Sequence, residues 1–263
     1  YQVVNVEQDH RYRDFWQTYY KLTARKGVTE QLAKIDMRRR LSLIGTMMLH
    51  KGEVDGLICG TWSTPLTHLK YVNEVIGNRK GVSTYAAMNG LLLPDRQVFL
   101  VDTHINYDPT AEQLAEITVM AAEEMRRFGI QPKAALLSHS NFGSSDQPSA
   151  IKMRETLALV KKKAPWLEID GEMHGDSALD GAARAAHMPD TTLIGDANLL
   201  VLPNLDSANI AYNLLKTAAG GNIAIGPVLL GAAKPVHILT ASTTVRRIVN
   251  MTALTVADAS AVR

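Results

Sequence analysis

Residues 97–102 read QVFLVD, residues 110–129 read TAEQLAEITVMAAEEMRRFG, and residues 134–146 read AALLSHSNFGSSD. The first is a short apolar, β-branched run of the kind that forms a strand. The second places Leu114, Ile117, Ala121, Met125 and Phe128 at spacings of three and four, which gathers them on one helical face. Thr110 and Gln113 make a capping box ahead of that face and Gly129 closes it, so a helix is expected from about Ala111 to Phe128. The third is a strand that runs out at Ser138 into a polar loop. Strand, helix and strand in succession are the unit of an α/β fold with a largely parallel sheet, and the alternation continues outward in both directions. Strands are expected at Val3 to Val6, Val54 to Cys59, Gln97 to Asp102, Ala134 to Ser138, Leu167 to Asp170, Leu199 to Leu202, Ile223 to Leu230 and Val236 to Leu239. Further helices are expected near residues 10 to 25, 29 to 50, 65 to 77, 148 to 164, 176 to 187 and 206 to 218.

At 263 residues the chain can bury a substantial core without staples. Its single cysteine, Cys59, allows no internal disulfide, fits a reduced cytoplasmic setting, and reads as a buried strand residue. A net charge of +2, from 28 basic and 26 acidic side chains spread along the chain, argues against a nucleic-acid partner. Lys161-Lys162-Lys163, just ahead of Pro165, reads as the last turn of a helix, where positive charge complements the dipole, and Arg38-Arg39-Arg40 as a solvated face. No run approaches the ~20 apolar residues of a membrane span, nor does the start resemble a signal peptide. The chain opens without Met in Tyr1-Gln2-Val3, so it is expected to be a piece of something longer. With no flexible tether in the sequence, two lobes are expected to be joined by strand crossovers near Gly81 and Pro235.

No G-x-G-x-x-G follows a strand and no G-x-x-x-x-G-K-[ST] is present, which removes Rossmann and P-loop readings from this chain. Asp170-Gly171-Glu172-Met173-His174-Gly175-Asp176 could align carboxylates and an imidazole on one face of a strand as a metal site. A polar strand end leading to a helix capped by Asp176 is the preferred reading, so no metal ligand is assigned. Adjacent Ser138 and His139 diverge and make no nucleophile–base pair. The Ser138 to Asp146 loop, directly after a strand, has backbone N–H groups able to cradle a phosphate or thioester oxygen, though a surface turn would read similarly.

Ser140-Asn141-Phe142-Gly143-Ser144, then Asp170-Gly171-Glu172, then Gly195 to Leu205 (G-x-A-N-x-L-x-x-P-N-L), then Asn209 to Tyr212 (N-I-x-Y), then Ile225 to Val236 (I-G-P-V-L-L-G-x-x-K-P-V) occur here in the order found in phosphotransacetylases. Lys26 to Thr29 and Gly52 to Leu57 extend the resemblance over essentially the whole chain. The resemblance implies a two-lobed α/β fold of the isocitrate/isopropylmalate-dehydrogenase-like kind, with coenzyme A in a cleft between lobes, and a homodimer. Lobe one would comprise residues 1–82 and 233–263, with part of it preceding residue 1, and lobe two residues 83–232.

Active members of that family follow K-P-V-x-x-L with S-R-G and an aspartate five residues beyond the glycine. After Lys234 to Leu239 this chain has Thr240 for the serine, Ala241 for the arginine and Arg247 for the aspartate. A guanidinium does not serve as a general base near neutral pH. Lys70 stands at a second family arginine and keeps the charge without the bidentate fork; Thr23 aligns with a third, and Asn213 replaces the usual lysine after N-I-x-Y. A kept scaffold with a stripped acid–base site, ending in L-T-x-x-x-x-V-R-R-I-V-N, resembles the C-terminal domain of long bacterial NADP-dependent malic enzymes. The resemblance implies acetyl-CoA as inhibitory effector, no catalytic residue in this chain, and a higher homo-oligomer built with a malic domain. That separate domain, using NADP and a divalent metal (Mg or Mn), would decarboxylate malate to pyruvate. The residues expected to meet acetyl-CoA are Ser63, Thr64, Lys70, Ser138, Ser140, Asn141, Gly143, Thr240 and Arg247. A catalytically active phosphate acetyltransferase is the alternative.

Overall fold

The computed structural model describes residues 2–5, 8–219 and 224–262. Its elements, in chain order, are α1 (Tyr12–Thr23), α2 (Glu30–Arg39), α3 (Leu41–Lys51), β1 (Leu57–Gly60), α4 (Pro65–Val75), β2 (Ala86–Leu92), β3 (Gln97–Val101), α5 (Ala111–Arg127) and β4 (Lys133–Leu137). Then follow α6 (Pro148–Lys163), β5 (Glu168–Met173), α7 (Gly175–Leu179), α8 (Gly181–His187), β6 (Leu199–Val201), α9 (Leu205–Ala218), β7 (Ala224–Leu230), β8 (Val236–Leu239) and α10 (Val245–Val262). The chain divides into two compact units, Tyr1–Gly81 with Ala232–Arg263, and Val82–Gly231.

In the first unit, β1 and β8 pair in parallel, Leu57 opposite Val236 through Gly60 opposite Leu239. Helices α1 to α4 enclose a core of Phe15, Tyr19, Met37, Leu43, Met47 and Tyr71. The second unit holds a six-stranded sheet in the order β5-β4-β6-β3-β2-β7. It is mixed where a largely parallel sheet was expected: β2 runs antiparallel to both β3 and β7, and the pairs β3–β6, β6–β4 and β4–β5 are parallel. The α5 helix carries the capping box, Thr110 Oγ1 accepting from Gln113 N–H and Gln113 Oε1 from Thr110 N–H. Lys161, Lys162 and Lys163 occupy the last turn of α6.

Several expectations are corrected. Residues 2–5 form no strand, and Val6, like Ile223 at the start of the expected β7, lies outside the described residues. Strand β1 starts only at Leu57, because residues 52–55 turn away from the end of α3. The helix expected over 29 to 50 breaks at Arg40 (φ −113°, ψ 90°), and that over 176 to 187 breaks at Asp180 (φ −126°, ψ 88°). His174, not Asp176, is the N-cap residue of α7, and Asp176 lies within the first turn. Cys59 is partly exposed rather than buried. Burial nonetheless pushes its thiol up to about 11. Strand β2 and helix α10 were not anticipated. Among the described residues no helix is long and apolar enough to cross a membrane.

Candidate functional site

In the first unit the parallel strands β1 and β8 end side by side, and each feeds a helix: β1 through residues 61–64 into α4, β8 through residues 240–244 into α10. The strands approach closely because Gly60 (φ 108°) has no Cβ, which would stand 2.1 Å from the Leu239 carbonyl oxygen. Thr61 N–H donates to that oxygen at 3.1 Å. Thr61 (φ 68°) and Ser63 (φ 60°) are both left-handed, which costs an L residue with a Cβ on the order of 1–2 kcal/mol each. Pro65 then opens α4 with its φ preset and no N–H to satisfy.

Hydroxyls crowd these two helix starts. Ser63 Oγ donates to Thr67 Oγ1 at 3.1 Å, and Thr64 Oγ1 lies 3.1 Å from the same atom. Thr240 Oγ1 lies 3.2 Å from Ser242 Oγ and 3.5 Å from Thr243 Oγ1. Neither α4 nor α10 has an acidic residue in its first turn to complement the positive helix end. Arg247 sits in the first turn of α10, half-buried, and its enclosed Nε has no hydrogen-bond partner among the described residues. Thr64 makes no side-chain cap on α4, whereas Thr244 Oγ1 caps α10 by accepting from Arg247 N–H at 3.3 Å. An enclosed guanidinium N–H left unpaired among the described residues at a helix start is chemistry that suits an anion. Lys70 is more exposed; its Nζ lies 4.0 Å from Glu74 Oε1 and 5.4 Å from the centre of the Tyr71 ring.

In the second unit, the loop after β4 does organise itself around an anion, and the anion belongs to the chain. Glu172 is wholly buried. Its Oε1 accepts from Ser140 Oγ (2.6 Å), Gly143 N–H (2.9 Å) and Arg154 Nη1 (2.9 Å). Burial opposes the charged carboxylate, but these three donors prevail and hold Glu172 below the usual carboxylate range. Oε2 is enclosed without a hydrogen-bond partner among the described residues. Phe142 (φ 46°) and Gly143 (φ 91°) turn the loop back, and Phe142 N–H donates to the Glu172 carbonyl at 2.8 Å.

Two of the loop residues expected to face a ligand, Ser140 and Gly143, are therefore committed to Glu172. Ser138 Oγ accepts from Ser140 N–H at 3.2 Å, and Asn141 Oδ1 from His174 N–H at 2.8 Å. Both keep donors with no partner among the described residues, the Ser138 hydroxyl and the Asn141 amide. His139 Nε2 meets Ser145 Oγ at 3.0 Å rather than Ser138. Asp170 does not converge with Glu172 and His174. It accepts from Thr191 Oγ1, Thr192 N–H and Gly171 N–H, whereas His174 Nε2 bonds the His139 carbonyl. Sequence reasoning missed Glu172 and Arg154 as the loop's support. The signal was an acidic residue on the strand next to the loop and an arginine two turns into the following helix, but only the tertiary fold joins them.

The family model described as phosphate acetyl/butaryl transferase matches residues 1–256. An NADP-dependent malic enzyme of Escherichia coli (strain K12) is 52% identical over 259 residues, covering 98% of this chain and 34% of that protein. A phosphate acetyltransferase of Corynebacterium glutamicum is 34% identical over 259 residues, covering 98% of this chain and 78% of that one. Among solved structures, a phosphotransacetylase from Streptococcus pyogenes superimposes with a TM-score of 0.90 at 31% identity, over 99% of this chain and 79% of that chain. The EutD phosphotransacetylase from Staphylococcus aureus gives 0.82 at 29% identity, over 100% and 79%. The chain spans about a third of the malic enzymes it matches.

Proposed function

From the premise that this chain belongs to the phosphate acetyl/butaryl transferase family, we propose that it is an acetyl-CoA-binding regulatory module of an NADP-dependent malic enzyme and has lost acetyl transfer. The observation that carries the reading is the strand-end site of the first unit. Hydroxyls and helix N-termini suited to phosphate or a thioester oxygen are in place, and the position of the family's general base is occupied by Arg247. Thr240 Oγ1 meets only other hydroxyls among the described residues, so no base activates it. Losing a general base alone slows such chemistry about 10²- to 10⁴-fold, while binding needs none.

Ser63, Thr64, Thr240 and Arg247 would meet anionic or carbonyl oxygens of the ligand, Lys70 would supply longer-range charge, and Ser138 and Asn141 would offer their free donors. Ser140 and Gly143 would act through the loop shape that Glu172 holds. The reading takes the two units as the family's two lobes, and the module as a homodimer that assembles further in the full protein. NADP, a divalent metal and malate decarboxylation belong, on this reading, to the attached malic domain. Acetyl-CoA would regulate it by binding one assembly state more tightly than another.

Identity to phosphate acetyltransferases of 34% favours a second reading, a competent acetyltransferase. Coupled measurement of acetyl phosphate formation separates the two: saturable acetyl-CoA binding without turnover supports regulation, and turnover in the range of about 1 to 10³ s⁻¹ supports catalysis.

A further inference from the structure

His68, in the first turns of α4, is 1% exposed, and both ring nitrogens are engaged at 2.6 Å. Nδ1 meets Ser42 Oγ of α3, itself buried, and Nε2 meets the Trp62 carbonyl oxygen. A carbonyl only accepts, so Nε2 carries the proton, and in the neutral ring Nδ1 accepts from the Ser42 hydroxyl. The Trp62 indole also stands edge-on to the imidazole, 5.0 Å between centres at 82°. Trp62 is thus gripped through both its backbone and its ring, and it lies between the two left-handed residues Thr61 and Ser63. Such a turn persists only where its surroundings over-determine it, and the His68 ring, pinned from α3, supplies that constraint.

The turn decides where the Ser63 hydroxyl and the start of α4 stand. We infer that His68 is a positioning residue for the strand-end site: its Nε2–H holds the Trp62 carbonyl and so keeps the left-handed turn that presents Ser63 and the N-terminus of α4 to the ligand. The ligand part of this inference rests on the acetyl-CoA reading above; the turn-holding part does not.

The full chain with Trp16→Phe and Trp166→Phe retains Trp62 as its sole tryptophan, and acrylamide quenching then reports on the turn while calorimetry reports acetyl-CoA affinity. In that parent, His68→Leu keeps the bulk and removes the donor, whereas His68→Gln keeps an N–H near the Nε2 position. Expected for H68L are easier quenching of Trp62 and an affinity about fivefold to tenfold weaker, the loss of one hydrogen bond's net contribution. H68Q should restore both to within about twofold. Adding Thr61→Gly, which adopts the left-handed conformation without strain, should recover part of the H68L affinity. Parent-like quenching and affinity in folded H68L, or an H68Q as impaired as H68L, would overturn the inference. If the parent binds no acetyl-CoA, the functional reading falls and the quenching comparison alone decides: equal quenching in parent and H68L rejects the positioning role, and a rise in H68L reversed by H68Q upholds it.

Discussion

At Glu172 three donors crowd one carboxylate oxygen, and they outweigh the desolvation that opposes its charge. The sign of the pH dependence follows. A carboxyl whose folded pKa lies below its unfolded value of 4.5 stabilises fully above that pH and loses the contribution as pH falls through the lowered folded value. Glu172→Gln should therefore cost about 1–3 kcal/mol near neutral pH, by weakening a buried charged network. The gap from the native chain should narrow only as the pH drops below 4.5. Urea midpoints measured across that range check this, and a gap that does not change with acid would show that the carboxylate charge is not what holds the loop. Arg247 makes a contrasting case. Its Nε has no hydrogen-bond partner among the described residues, so Arg247→Met should leave the urea midpoint nearly unchanged while weakening acetyl-CoA binding about tenfold, the scale of one charge-assisted contact. Equal affinities by calorimetry would remove Arg247 from the site.

Among the elements, the β1–β8 pair depends on the absence of a single side chain. Gly60→Ala would put a Cβ 2.1 Å from the Leu239 carbonyl oxygen at a φ of 108°, and should cost about 3 kcal/mol by urea unfolding, as a backbone clash at a strained position does. A cost under about 0.5 kcal/mol, the range of ordinary surface changes, would mean that the strand ends are not in close contact. The same level shows what could be read in advance. Helix α5 was legible to its capping box because local chemistry and periodicity agree there. Strand β2 was not: Ala86, Ala87, Asn89 and Gly90 have low strand propensity, and what makes them a strand is pairing on both edges with β3 and β7. The split at Arg40 is equally silent, since residues 29–50 read as one helical stretch and the break appears only as an extended backbone at that residue. At the candidate site, Thr240 and Arg247 were marked in advance by a family motif from which they depart. The grip of His68 and the support from Glu172 needed the fold, because each joins residues from separate elements.

For the molecule as a whole, the scaffold and the chemistry point in different directions. The chain superimposes on a solved phosphotransacetylase over 99% of its length with a TM-score of 0.90, and hydroxyls gather at the two helix starts beside its first-unit strand ends. In the proposed reading the family's acid–base positions hold Thr240, Ala241 and Arg247. A ligand site without its base would be the pattern of a sensor, and binding is the claim on which all of the proposed function depends. Calorimetric titration of the full chain with acetyl-CoA tests it most directly. Saturable binding with a Kd below about 1 mM, with no acetyl phosphate formed when phosphate is added, is the predicted result. Absence of binding heat at millimolar acetyl-CoA, or rapid acetyl phosphate formation, would contradict it.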